Sequence, residues 1–205
     1  MAAPRSARLA VALVAALAFC AGCSTALGAP LHHHRQLHAT RRHGCANAGL
    51  RPTRHDVRLI RAATLCLVNR ERVAHGEARL RPNRRLRQAA QGHSHSMTVD
   101  DYFEHFGGSG PGGGTPLSRI RAAGYISSSR VGFEVGENIA WGTGALATPR
   151  AIVAAWMASP GHRANILDPH YRETGIGVSA HPPASLAHGQ SGAIYTQDFG
   201  VIIGR

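Results

Sequence analysis

Trp156-Met157-Ala158-Ser159-Pro160-Gly161-His162-Arg163-Ala164-Asn165-Ile166-Leu167 is the stretch on which the reading of this chain turns. Just upstream, Thr148-Pro149 supplies a helix cap with proline at the first helical position, and Ile152, Ala155, Trp156 and Ser159 then recur as one inward stripe. Ser159-Pro160 repeats the start signal, so a second short helix opens there, with Ser159 as its cap and His162 in its first turn. Earlier, Gly136-Glu137-Asn138-Ile139-Ala140 lies inside residues 133–141, which read as a strand entering a core. A carboxylate among Val135, Ile139 and Trp141 is costly to bury unless something pairs with it. A histidine just past a Ser-Pro helix start is well placed to be that partner, so the two stretches predict a polar cleft over an apolar core.

The remaining elements follow outward from this pair. Val57, Ile60, Thr64, Leu67 and Val68 recur at three-to-four spacing, which predicts an amphipathic helix over 56–75 with arginines on its outer face, ended by His75-Gly76. Asn83 is a good cap for a second helix carrying Leu86, Ala89, Ala90, His93 and Met97 on one stripe. Residues 107–114 hold six glycines and a proline and read as a mobile loop or a tight multiple turn, followed by a short helix over 116–123. Residues 175–178 and 193–199 read as late strands separated by a Pro/Gly-rich turn region. Helices first and strands late, in hairpin order, imply an α+β domain with an antiparallel sheet.

Composition sets the setting. The 205 residues suit one domain better than two. Arg5 and Arg8 precede an apolar run from Leu9 to Phe19 and then small residues, the order of a secretory signal, and the run is too short to span a bilayer as a stable helix. We divide the chain into a signal and cleavage region at 1–29, a flexible linker at 30–55 and a folded domain at 56–205. Cys20-Ala21-Gly22-Cys23 resembles a lipoprotein box without the usual leucine, so a free secreted protein is favoured over one anchored to the membrane through Cys23. Loss of the signal leaves Cys45 and Cys66 as an even pair in an oxidising compartment, which predicts a disulfide closing the linker onto the first helix, with two unlinked thiols as the alternative.

The formal net charge is +12, two fewer without Arg5 and Arg8. All 23 basic residues are arginine, a bias that reflects coding as much as phosphate contact, so no nucleic-acid partner is expected. Attraction to an anionic envelope polymer or lipid headgroup fits an exported protein better.

Three groups stand out chemically: His105 beside the glycine-rich segment, Glu137 on the strand and His162 at the helix start. Two imidazoles and a carboxylate are a legitimate set for zinc with an open position for water, with His105 and His162 as the metal-binding candidates. The competing reading has Glu137 accepting hydrogen bonds and organising the cleft. His93, on a core stripe, reads as a satisfied structural histidine, and His95 as solvated. His32-His33-His34 read as solvated linker. A serine hydrolase lacks support, because there is no G-x-S-x-G elbow and the Ser159 oxygen is expected to be committed to helix capping.

The order His105, Gly136-Glu137-Asn138, Trp156, Gly161-His162 and a final hairpin resembles the CAP superfamily (cysteine-rich secretory proteins, antigen 5 and pathogenesis-related 1) in its bacterial SCP-like branch, over residues 56–203. The resemblance implies a three-layer α-β-α sandwich with a central antiparallel sheet. It also implies a groove lined by two histidines and two glutamates, here His105, Glu137 and His162, with Ser159 standing where the second glutamate would be. Asn138 is counted with the groove. An incomplete set implies weaker metal affinity and one fewer general base. The expected function is therefore a secreted module, non-enzymatic rather than catalytic, that binds an envelope polymer, peptide or lipid headgroup. The alternative is a metal-assisted hydrolase, with Glu137 as its candidate catalytic base and His105 and His162 as its ligands.

Overall fold

A computed structural model describes residues 44–204 apart from 109 and 111. The signal region, Cys20, Cys23, His32-His33-His34 and the first part of the linker lie outside the described residues.

The first described segment is stapled down. Cys45 and Cys66 form a disulfide with their Cα atoms 5.7 Å apart across 21 positions of sequence. In the chain-entropy picture a loop of this size stabilises by roughly 3 kcal/mol. Beside it Ala48 is buried in the main core, and its carbonyl accepts from the Arg150 amide at 2.9 Å. Helix α1 (Val57–Ala74) then buries Ile60, Ala63, Thr64, Leu67 and Val68. It ends where Gly76 takes φ +83°, a left-handed conformation open to glycine.

One arginine of α1 departs from the expectation that its arginines face outward. Arg72 is fully buried. Its Nη1 donates to the carbonyls of Ile166 at 2.6 Å and Asp168 at 2.9 Å, and its Nε to Ala78 at 2.6 Å. Three carbonyl oxygens take the place of water, so the charge is buried as the cap of another helix's C-terminus.

A two-residue strand β1 (Arg81–Pro82) leads into α2 (Arg84–Val99), whose cap is Asn83: Oδ1 accepts from the amides of Arg85 and Leu86. Next come α3 (Pro116–Ala122), β2 (Gly132–Thr143), a 3₁₀ turn (Gly144–Ala147), α4 (Pro149–Ala158) and α5 (Pro160–Leu167). The chain finishes with β3 (Glu173–Ser179), α6 (Ala184–Ala187) and β4 (Gly192–Ile203). Thr148 caps α4 through its hydroxyl, as the Thr-Pro signal predicts. Ser159 holds the cap position of α5 in extended conformation, but its hydroxyl makes no capping bond, which corrects that expectation.

The sheet order is β1-β3-β4-β2. β2 and β4 pair antiparallel along their whole length, Gly132↔Ile203 to Thr143↔Gly192, and β3 pairs antiparallel with β4. β1 pairs parallel with β3 through Arg81↔Glu173 and Pro82↔Thr174, so the sheet is mixed and not purely antiparallel. Two residues carry no periodicity, which is why β1 escapes a sequence reading.

Helices cover both faces. On one, Ile176, Val178, Ala193, Tyr195 and Phe199 pack with Ile60 and Leu67 of α1, Ile152 and Trp156 of α4, and Ile166 of α5. Trp156 stands edge-on to Tyr195 and donates its indole N–H to the Ile139 carbonyl at 3.1 Å, fixing α4 to β2. On the other face α2 lies against β3 and β4. Gly175 and Gly177 make that approach possible, since a side-chain carbon at either would collide with the α2 backbone at Arg87 or Ala90. The Gly-Ile-Gly-Val alternation thus sends branched side chains into one layer and admits a helix backbone on the other.

Candidate functional site

Glu137 lies on β2 and Asp198 directly opposite on β4, so pleating turns both carboxyls to the α2/α3 side of the sheet. Helix α3 delivers Arg119, which is buried, and its Nη2 donates to Glu137 Oε2 at 2.6 Å. The other carboxylate oxygen, Oε1, lies 2.8 Å from His105 Nδ1 and 3.9 Å from His93 Nε2. Glu137 is only 6% exposed and both of its oxygens are engaged.

The same arginine holds the surrounding backbone. Arg119 donates to the carbonyls of Gly114 at 2.6 Å and His105 at 3.1 Å. The His93 ring sits between the carbonyls of Glu104 at 3.0 Å and Gly112 at 3.1 Å, which bracket His105 and the glycine-rich turn. That turn closes on itself through paired bonds between Gly107 and Gly114. His105 is therefore held from behind while its ring remains 41% exposed. His95, two positions beyond His93 on α2, is exposed.

The far edge of β2 carries α5. Asn138 is fully buried; its Nδ2 donates to the His162 carbonyl at 3.0 Å, and its Oδ1 accepts from Asn165 Nδ2 at 2.9 Å. Asn165 also donates to the Glu137 carbonyl at 3.2 Å. The position expected to line a groove is instead a bracket that fixes α5 to the strand. The His162 ring, on the first turn of α5, is half-buried. The Ser159 hydroxyl makes no hydrogen bond to Glu137, His105 or His162 among the described residues.

Burial raises the proton affinity of Glu137, but the His105 hydrogen bond and the charge of Arg119 lead the opposing effects that outweigh it and leave the carboxyl below its ordinary range. Asp198 is pushed the opposite way. It is fully buried, neither oxygen has a donor among the described residues, and desolvation with the Glu137 charge opposite holds its carboxyl well above the usual range. The two acids are thus pushed apart, Glu137 toward the charged form and Asp198 toward the protonated one. His93 is lowered mainly by burial, against the pull of Glu137, and His162 by burial and then by His105, so both favour the neutral ring.

The carboxylate expected to join the two histidines in a zinc site is otherwise occupied. Glu137, the only carboxylate of the expected set, is committed to a guanidinium and an imidazole, and among the described residues no three His, Cys, Asp or Glu side chains converge on a point. Three cavities also lie beside this cluster. One of about 550 Å³ runs between α2 and the glycine-rich turn, with Arg119 in its wall, and two of about 470 and 580 Å³ follow the outer side of α2. None of the three is lined by His105, Glu137 or His162.

Sequence reasoning missed Arg119, Asp198 and Asn165. Only Asp198 left a trace, as an acid in the otherwise uncharged run of residues 193–199.

Residues 65–199 match the cysteine-rich secretory protein family, CAP. The chain is 34% identical over 133 residues to the uncharacterized protein YkwD of Bacillus subtilis (strain 168), across 65% of this chain and 44% of that protein. The uncharacterized membrane protein YlbC of the same organism is 32% identical over 114 residues, 56% of this chain and 30% of its own length. The chain therefore spans less than half of each of these curated relatives. Among solved structures, an extracellular protein containing an SCP domain from Bacillus anthracis aligns with TM-score 0.54 and 27% identity, over 72% of this chain and 43% of that one. An outer surface protein of Borrelia burgdorferi has the same fold, with TM-score 0.53 and 17% identity over 73% of this chain and 94% of its own.

Proposed function

The chain belongs to the cysteine-rich secretory protein family, and from that premise we propose that it is an exported, non-enzymatic binding domain that uses the exposed edge between His105 and His162 to hold an extracellular ligand. The ligand classes that suit two imidazoles beside a fixed carboxylate are an envelope glycan, a peptide or a lipid headgroup. The observation that carries the reading is the engagement of both Glu137 oxygens by Arg119 and His105. A carboxylate so neutralised and buried is a poor general base and a poor metal ligand, yet a good device for orienting an imidazole. His105 keeps one ring edge outward for hydrogen bonding. Export is supported by the Cys45–Cys66 disulfide, by the extracellular SCP-domain relative and by an N-terminal region of signal-like composition. No helix among the described residues is long and apolar enough to cross a membrane.

The test is co-sedimentation of the purified protein with cell envelope at low salt. His105→Ala combined with His162→Ala is expected to reduce retention at least severalfold while thermal unfolding stays within a few degrees. Retention indifferent to the double substitution would overturn the proposal. Added zinc is expected to leave the unfolding midpoint of the tag-free protein in place; an increase that disappears in the double variant would restore the metal-assisted reading.

A further inference from the structure

Away from the histidines, the N-terminal halves of α1 and α2 gather a charge that nothing answers. Arg58 and Arg61 of α1 and Arg84 and Arg87 of α2 line the cavity of about 470 Å³, over a floor that includes Leu65 and Ile176. Arg61, Arg84 and Arg87 also line the adjoining cavity of about 580 Å³, which continues past Gln88 to Gly92 and His95. Gln88, Gly92 and His95 in turn line the cavity beside the glycine-rich turn. The three form one track along α2; Arg84 to His95 is three turns of helix, about 16 Å.

No acidic residue lines any part of this track, and none of the four arginines has a carboxylate within salt-bridge distance among the described residues. Both helices begin here, so their positive ends add to the same field. Arg61 shows the crowding, its proton affinity lowered first by burial and then by Arg87. At the floor, the Gln91 side chain pairs with the Val178 amide and carbonyl, each at 3.0 Å, and the Asn83 amide pairs with the Thr174 carbonyl at 2.8 Å. Strand alternation turns the Ile176 peptide groups to the same edge, between these two capped positions, where the cavity opens.

Shape and chemistry narrow the occupant. An elongated track with anion receptors at one end and Gln88 and His95 along it suits an extended, hydroxyl-rich, acidic chain. Leu65 and Ile176 offer an apolar floor for the C–H face of a sugar ring. A membrane surface fits less well, because none of the exposed large apolar side chains (Leu59, Val73, Val99, Phe106, Leu146, Ile202, Ile203) lines the track. Single-stranded nucleic acid would find no Phe, Tyr or Trp there on which to stack its bases.

We propose that the track along α2, entered at Arg58, Arg61, Arg84 and Arg87, is a binding site for an acidic polysaccharide. It goes beyond the proposed binding edge at His105 and His162 and fails independently of it. The experiment is calorimetric titration of the full mature chain with a short oligogalacturonate at low and moderate salt. Saturable binding that weakens with salt is expected, together with a loss of about tenfold or more in the Arg61→Gln/Arg87→Gln variant, where charge-assisted contacts are removed. Arg70→Gln/Arg150→Gln, which changes the charge equally at exposed positions outside the track, is expected to stay within about twofold. His105→Ala/His162→Ala is expected to leave this affinity unchanged. No binding, equal binding of a neutral maltooligosaccharide, or equal losses in the two arginine pairs would overturn the proposal. So would tighter binding of poly-L-glutamate, single-stranded DNA or phosphatidylglycerol vesicles than of oligogalacturonate.

Discussion

The two faces of the central sheet are closed in different proportions of apolar and polar contact. Toward α1, α4 and α5 the seal is hydrocarbon: Ile176, Val178, Tyr195 and Phe199 meet Trp156, Ile152 and Ile166. Toward α2 and α3 two smaller apolar clusters, Leu86, Ala89, Ile120 and Tyr125, and Met97, Ile139 and Ile194, share the space with glycine, small polar groups and titratable ones, with Ser94 bonded to Thr196 at 2.9 Å and Glu137, Asp198, His93 and Arg119 all buried. The first face derives its stability from area removed from water. The second depends on close backbone approach and on every charge finding an answer, so it is more sensitive to single atoms. A family that keeps its fold while varying its site would be expected to vary the second face.

The largest effect expected from breaking this contrast comes at the glycine seam. Gly177→Val would drive a branched side chain into the α2 backbone at Ala90, and no cooperatively folded protein is expected by circular dichroism and thermal melting. A native-like melt would mean that α2 does not lie on β3 as described. Next, Arg119→Met strands the Glu137 charge and is expected to cost about 3–5 kcal/mol in urea unfolding. Most of that should return in Arg119→Met/Glu137→Met, where no charge is left unpaired; a double variant as weak as the single one would show that packing of α3, not charge, was lost. Opening the staple with Cys45→Ser should cost roughly 3 kcal/mol, independently of either face.

The smallest effect is the most specific. Asp198 has its folded-state proton affinity raised, so between the unfolded and the folded pKa the native chain binds a proton that the unfolded chain has released. Stability from this group is thus fully present at low pH and lost as pH rises. Glu137 acts in the opposite sense, contributing above the ordinary carboxylate range and losing that contribution as pH falls. Asp198→Asn should therefore raise the unfolding midpoint modestly at pH 7 and leave it unchanged near pH 3. A variant destabilised equally at both values would mean that Asp198 is ionised and paired.

Local signals made the hydrocarbon face largely legible. Apolar spacing in α1, the Thr148 cap and the Gly-Ile-Gly-Val run each declare themselves within a few residues. β1 and the burial of Arg72 do not, since one is set by a parallel pairing to β3 and the other by the carbonyls at the end of α5. The polar face was legible only in its centre. Glu137 stands out because an acid among branched and aromatic residues demands a partner. The identity of that partner depends on where α3 docks, and the opposition of Asp198 on strand register across 61 positions of chain. Ser159 misled because a cap residue at the junction of two helices can leave its hydroxyl unused.

The account rests on a carboxylate held ionised by Arg119 and His105 beside an acid that keeps its proton, and carboxyl-carbon NMR of the labelled protein across a pH series reads both groups at once. The expected result is a Glu137 side chain that stays ionised below the ordinary glutamate range while Asp198 keeps its proton above the ordinary aspartate range. A Glu137 that titrates at or above its ordinary range, or an Asp198 that titrates at or below its own, would contradict it.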